Sequence, residues 1–156
     1  MDKQEVEAKI RSALEKLFER DRALLEIDVN ERTITHRLAI YIEEEFPGWD
    51  VDCEYNRYFD EGKQIAVTKK LLSTSDVTSV ADENAKTVFP DIIVHHRNKK
   101  ENLIAIEVKK TTNPTPDNED LEKLNAYKEK LGYAHTVFIR FVTGVKEIGI
   151  ERFEVN

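Results

Sequence analysis

The chain has 156 residues, 40% hydrophobic and 35% charged, which is typical of one soluble globular domain rather than a disordered segment. No apolar run approaches the roughly 20 residues that span a membrane, and the charged N-terminus lacks the apolar core of a signal peptide, so a cytoplasmic location is expected. Cys53 is the only cysteine, which excludes an internal disulfide and a cysteine-based zinc site. The net charge of −7 counts against nucleic-acid binding, which basic domains perform best.

Two amphipathic helices are predicted in the N-terminal third of the chain. In the first, apolar residues recur at helical spacing between charged ones: Val6, Ile10, Leu14 and Leu17. The second begins near residues 28–31 and ends before Pro47, a strong stop signal. Its apolar stripe consists of Ile34, Leu38, Tyr41 and Ile42. Both stripes indicate helices that pack against a core.

Glu31 falls on the apolar stripe of the second helix, three residues before Ile34 and seven before Leu38. One interpretation is a variant capping box over residues 28–31, in which Glu31 accepts hydrogen bonds from the free amides of the helix N-terminus. A functional interpretation depends on the resemblance described below. His36 is assigned to the helix surface, despite its metal-binding ring.

A strand and a long unpatterned segment follow the second helix. Val51, Cys53 and Tyr55 alternate with polar residues, which predicts a strand over Asp50–Tyr58 with one buried face. Residues 59–87 show no clear periodicity and are interpreted as a long loop or insertion. Such a segment is either a flap over a substrate or a disordered insertion.

Two short apolar runs, residues 88–95 and 103–108, flank a polar turn and predict a β-hairpin with largely buried strands. Asp91 interrupts the first run and Glu107 closes the second. If the turn is symmetric about Lys99, the two carboxylates face each other with Cβ atoms roughly 5 Å apart, where like charges repel. A divalent cation held between them would remove that repulsion.

Basic residues accompany the two carboxylates. Strand alternation puts Lys109 on the same face as Glu107, and Lys110 on the opposite face. The turn itself carries Arg97, Lys99 and Lys100. These cations form either a docking surface for an anionic partner or a solvated hairpin tip.

A third helix is predicted after the hairpin, capped by Asp117 or Asn118 and ending before Gly132. The near-continuous apolar run Thr136–Val142 is typical of a central strand, and the looser alternation of Glu147–Val155 indicates an edge strand. The predicted order is therefore helix, helix, strand, strand, strand, helix, strand, strand.

Pro90-Asp91, followed after a spacer by Glu107-Val108-Lys109, resembles the motif of the PD-(D/E)xK nuclease superfamily. The resemblance implies the restriction-endonuclease-like fold, of the α/β (mixed α+β) class. Its αβββαβ core has a central mixed sheet flanked by helices, here with an extra N-terminal helix. One domain would occupy residues 1–156. The resemblance covers roughly residues 31–142, with residues 59–87 unmatched.

In that superfamily the Asp and the Glu bind magnesium, for which manganese can substitute, and the Lys assists the attacking water and the phosphate. The resemblance therefore implies metal ligation by Asp91, Glu107 and the Val108 carbonyl, and a catalytic role for Lys109. Many members also carry a glutamate on the first core helix that completes the metal site. This is the functional interpretation of Glu31, as a catalytic residue and a metal ligand.

Substrate contacts are expected from four further residues. In several branches of the superfamily, a Lys or Gln and a Tyr four residues later touch the substrate, which matches Lys123 and Tyr127 on the third helix. Positive charge beside the carboxylates and in the turn adds Lys110 and Arg97.

The implied activity is magnesium-dependent hydrolysis of phosphodiester bonds, with DNA as the expected substrate. Cutting both strands of a duplex requires two sites, which a homodimer would supply. One alternative is a non-catalytic module that kept the nuclease fold and acts through a protein or nucleic-acid partner, which the acidity of the chain favours. Another is an unrelated enzyme with paired carboxylates, such as a glycosidase, to which an apolar hairpin and a partner lysine are poorly suited.

Overall fold

The computed structural model describes residues 1–54 and 89–156. The long segment expected at residues 59–87 lies outside these ranges, as does the predicted strand beyond residue 54. Within them the elements follow in this order: α1 (Lys3–Arg20), α2 (Arg22–Glu26), α3 (Glu31–Glu45), β1 (Asp50–Cys53), β2 (Ile92–His96), β3 (Glu101–Lys110), α4 (Asn118–Leu131), β4 (His135–Val142) and β5 (Gly149–Val155).

The two predicted N-terminal helices are confirmed as α1 and α3. The Asp2 side chain caps α1 by accepting a hydrogen bond from the Glu5 N–H at 2.9 Å. Asn30 caps α3 by accepting from the Thr33 N–H, also at 2.9 Å. The short helix α2 was not predicted, because its 5 residues are too few to show helical periodicity.

The described strands form one mixed sheet in the order β1-β2-β3-β4-β5. Only the β3–β4 pair is parallel, and the other neighbours are antiparallel. The parallel pair follows from chain direction, because α4 carries the chain from the end of β3 back to the start of β4. As predicted, β4 lies inside the sheet and β5 lies at its edge.

Helices cover both faces of the sheet, and β3 contributes alternate residues to each side. On one face, α1 and α3 pack against a large apolar cluster that includes Ile104, Ile106 and Val108 of β3. On the other face, α4 packs against a smaller cluster that includes Ala105. Because side chains alternate along a strand, Glu107 also belongs to the α4 side.

The helix α4 ends before Gly132, as the sequence predicts. The left-handed φ of 70° at Gly132 suits a glycine that follows a helix. Asp117 occupies the N-cap position, but its side chain makes no capping hydrogen bond. Its carboxylate instead accepts hydrogen bonds from Arg140 at 2.7 Å and Arg152 at 3.1 Å. The position of the cap was therefore predicted correctly, but not the role of its side chain.

The architecture of the described residues is mixed α+β, with a five-stranded mixed sheet flanked by helices. In the part of the chain that the structure describes, no helix has both the length and the apolar character needed to cross a membrane.

Replacing the cap of α3 should destabilise the fold. Asn30→Ala leaves the Thr33 N–H without its side-chain acceptor, and the free energy of unfolding should fall by about 1 kcal/mol in urea denaturation. Asn125→Ala, at an exposed position inside α4, is the matched control and should not destabilise, because alanine is the better helix former. Equal stability of Asn30→Ala and the native chain would contradict this role.

Candidate functional site

The hairpin register brings Asp91 and Glu107 to the same level. Ile92 pairs with Ile106. Asp91, which precedes Ile92, therefore faces Glu107, which follows Ile106, across the two strands. Asp91 lies just before β2, and its Oδ2 accepts a hydrogen bond from the Val108 N–H at 2.7 Å. The predicted symmetry about residue 99 is confirmed for this part of the hairpin, with a bulge only beyond Val94.

Glu107 is almost completely buried, with 2% of its surface exposed. Two side chains of α4 cover it: the Lys123 ammonium lies 2.8 Å from Oε2, and the Tyr127 hydroxyl donates to Oε1 at 3.3 Å. Lys123 and Tyr127 were predicted together as substrate contacts. The structure brings both to the carboxylate, with their side chains directed into the protein.

Lys109 lies on the same face as Glu107, as predicted, but its ammonium is held by other groups. It donates to Asp120 Oδ2 at 2.7 Å and to the Pro116 carbonyl at 3.0 Å. The other oxygen of Asp120 lies 2.8 Å from the ammonium of Lys123. Charges therefore alternate in a chain from Lys109 through Asp120 and Lys123 to Glu107. The bridging role of Asp120 was not predicted, although helical spacing places Asp120 on the same face of α4 as Lys123 and Tyr127.

Glu31 does not cap α3, because Asn30 occupies that role. Its carboxylate instead reaches β3, where Oε2 accepts the Lys110 N–H at 3.0 Å, and it also accepts from the Asn113 side chain. The capping interpretation of Glu31 is therefore wrong. Its inward direction agrees with the apolar stripe, and Glu31 and Asp91 line the same cleft.

Two of the predicted substrate residues are engaged away from the carboxylate pair. The Lys110 ammonium donates to Asp28 Oδ1 at 3.0 Å and to the Val29 carbonyl at 2.9 Å, which ties the end of β3 to the loop before α3. Arg97 forms a two-pronged pair with Asp52 on β1, at 2.9 and 2.6 Å. The structure does not bring either cation to Glu107.

Burial and the charges of nearby acidic residues shift the protonation of both carboxylates. Burial is the main effect that raises the pKa of Asp91 to about 6, although the Val108 N–H and Lys123 act in the opposite direction. Burial, followed by the charge of Asp91, raises the pKa of Glu107 well above its usual value. Such shifts are common where charged groups are collected for chemistry.

The cationic and phenolic partners respond to the same charges. Burial lowers the pKa of Lys123, but the charges of Glu107 and Asp120 outweigh burial and the net shift is upward, so its ammonium stays charged. Burial, and then the charge of Glu107, raise the pKa of Tyr127. Its hydroxyl therefore keeps its proton and remains a hydrogen-bond donor.

The donor set suits a hard cation that keeps most of its water. Magnesium is commonly held by one or two carboxylates while waters complete its shell, and Asp91 with Glu107 can supply two. Within residues 1–54 and 89–156, no group of three or more His, Cys, Asp or Glu side chains is gathered to hold a metal ion.

A cleft of about 620 Å³ opens beside Asp91, between the first turn of α3 and the end of β1. Its lining includes Arg32, His36, Cys53 and Glu54. Arg32 and Cys53 were not predicted as site residues, and His36 was assigned to the helix surface. The sequence signal that could have grouped Arg32 with His36 is their spacing, because residues four apart share one face of a helix.

Comparisons of the chain with protein-family models, with curated proteins and with solved structures find no match. Any assignment of function therefore depends on the geometry of the site.

Stability without metal should depend on the protonation of Asp91. The pKa is about 6 in the folded state and about 3.9 in an unfolded chain, so the folded state binds more protons between these values. The contribution of Asp91 to the free energy of unfolding should therefore fall as the pH rises through this window. Asp91→Asn should remove that part of the pH dependence.

The measurement is urea denaturation of the native chain and Asp91→Asn in a chelator, near pH 4 and near pH 7. The stability of the variant relative to the native chain should increase between the two conditions. An unchanged difference would show that the Asp91 carboxyl is not perturbed by burial.

Proposed function

We propose that this chain is a metal-dependent nuclease with a restriction-endonuclease-like αβββαβ core, which hydrolyses phosphodiester bonds, with DNA as the expected substrate. The observation that carries the proposal is that two carboxylates, those of Asp91 and Glu107, lie opposite each other across a hairpin. The pKa of each is raised. The element order and the five-stranded mixed sheet support the fold assignment.

The proposed metal ligands are Asp91, Glu107 and the Val108 carbonyl, with Glu31 at the neighbouring edge of the cleft. A bound divalent cation would polarise the phosphate and acidify a water molecule. Burial is the main effect that raises the pKa of Glu107, and the charge of Asp91 adds to it; such a cation would relieve the repulsion between the two carboxylates. A cation between them would account for two carboxylates that lie together where the alternation of the strand buries Glu107.

The lysines supply the positive charge that phosphoryl chemistry requires. Lys123 contacts Glu107 directly, and Lys109 is linked to it through Asp120. Charge fixed in a buried site stabilises a developing negative charge more strongly than charge in water does. In this proposal Lys109 orients the attacking water or neutralises the phosphate, and Asp120 positions both ammonium groups.

The nuclease proposal predicts magnesium-dependent cleavage that requires Glu107. The purified chain should cut plasmid, single-stranded DNA or RNA with magnesium or manganese and should be inactive in a chelator. Glu107→Gln should lower the rate about 100- to 1,000-fold, the loss typical of removing one group that stabilises a transition state.

Glu122→Gln, on the exposed side of α4, makes the same chemical change away from the cluster and should cleave like the native chain. Absence of cleavage on every substrate, with nucleic acid still bound, would favour the non-catalytic module. Equal activity of the two glutamine variants would remove Glu107 from the site.

The two neighbouring lysines of β3 should separate chemistry from stability. Lys109→Ala should lose cleavage, because its ammonium belongs to the chain of charges that ends at Glu107. Lys110→Ala should lower the melting temperature, because Lys110 joins β3 to Asp28 and Val29 on the other side of the strand, and should keep most of its cleavage. Equal losses of cleavage from the two changes would contradict these roles.

A further inference from the structure

Among the described residues, helix α4 covers one side of the carboxylate pair. Glu107 is 2% exposed, and Lys123 and Tyr127 of α4 close the space above it. Asp91 is only half-buried and lines the cleft between α3 and β1. The described residues therefore close the α4 side of the pair and leave the cleft beside Asp91 as an approach for a polymer.

We infer that the cleft beside Asp91 binds a single-stranded segment of nucleic acid, with Arg32 and His36 as its contact residues. The inference rests on the proposed function and adds the form of the substrate and the residues that bind it. It differs from the expectation from sequence, in which Lys110, Arg97, Lys123 and Tyr127 made the contacts.

Arg32 is available for a phosphate or a base. Its guanidinium lies 3.2 Å from Glu54, but the side chains are 79% and 49% exposed. Exposed ion pairs of this kind contribute little to stability, so a ligand can replace Glu54 without a large loss. Arg32 has a planar charged group that stacks on bases and donates two parallel hydrogen bonds to phosphate.

His36 extends the same surface by one helical turn. It lies four residues after Arg32, is exposed, and lines the same cleft. Imidazole and guanidinium planes are common stacking partners for the unstacked bases of single strands. The two side chains therefore offer planar contacts along α3 beside Asp91.

The size and charge of the cleft favour a single strand over a duplex. A volume of about 620 Å³ lies within the range of about 300–1,000 Å³ that encloses small ligands, which suits one or two nucleotides. Among the described residues of its lining, the carboxylates of Glu31, Glu54 and Asp91 oppose an extended contact with many phosphates. Binding should therefore depend weakly on salt, with a slope of about −0.7 in log K for each phosphate contacted.

Cys53 provides a direct probe, because it is the only cysteine of the chain, is exposed and lines the cleft. Partial burial of the sulfur, and then the charges of nearby acids, raise the pKa of its thiol to about 11. Alkylation by N-ethylmaleimide is therefore measured at mildly alkaline pH. A ligand in the cleft should slow this reaction without any need for cleavage.

The experiment compares alkylation of Cys53 with and without a short oligodeoxythymidylate, in chelator for the native chain and in magnesium for Glu107→Gln. We expect saturating single strand to slow alkylation about fivefold or more, and the same sequence as a duplex to give little protection. Arg32→Ala and His36→Ala should each weaken protection and oligonucleotide binding about tenfold, the scale of one lost stacking contact. Arg11→Ala, another exposed arginine paired with one glutamate, is the matched control and should bind normally.

Unchanged alkylation at saturating oligonucleotide, or absence of binding in both arms, would overturn the inference. Stronger protection by duplex would overturn the single-strand assignment. Protection of Cys53 without cleavage would support the cleft and reject the nuclease. Cleavage that is insensitive to Arg32→Ala and His36→Ala would reject the cleft and keep the nuclease.

Discussion

Burial of the Glu107 carboxylate determines how the polar residues around it are arranged. An uncompensated buried charge costs several kcal/mol, so a residue that is 2% exposed needs a close partner. Lys123 provides that partner, Asp120 then balances Lys123, and Lys109 balances Asp120. The polar side of α4 is thus arranged around one residue of β3. Proteins in which apolar side chains replace such buried ion pairs are often equally stable. A contribution to stability alone therefore does not explain the cluster.

The acidity of the chain is compatible with a nucleic-acid substrate if few phosphates are contacted at once. Large basic surfaces are needed where many phosphates are neutralised together. Here Lys109 and Lys123, the described cations beside the carboxylates, are paired within the protein, and Arg32 is an exposed arginine among the described residues of the cleft. Such a site would gain its selectivity from shape and stacking rather than from net charge. The non-catalytic module would share this surface and differ only in the absence of metal-dependent cleavage.

The sequence was informative wherever periodicity determines structure. The hairpin symmetry about residue 99 and the shared face of Glu107 and Lys109 follow from strand alternation, and both agree with the structure. Contacts between distant segments could not be predicted in this way. Periodicity cannot show that Asp52 pairs with Arg97 or that Asp28 holds Lys110, because these contacts depend on how β1 and the loop before α3 pack. The same limit applies to the cleft, which forms only when α3 lies beside β1.

Calorimetric titration with magnesium and manganese tests the central claim, that Asp91 and Glu107 form a metal-binding pair. The native chain should bind one cation at the pair and release protons near pH 6, because both carboxylates have raised pKa values, so the measured heat should depend on the ionisation enthalpy of the buffer. Asp91→Asn and Glu107→Gln should each weaken the binding. An absence of binding to the native chain at millimolar cation, or undiminished binding to both variants, would contradict the account.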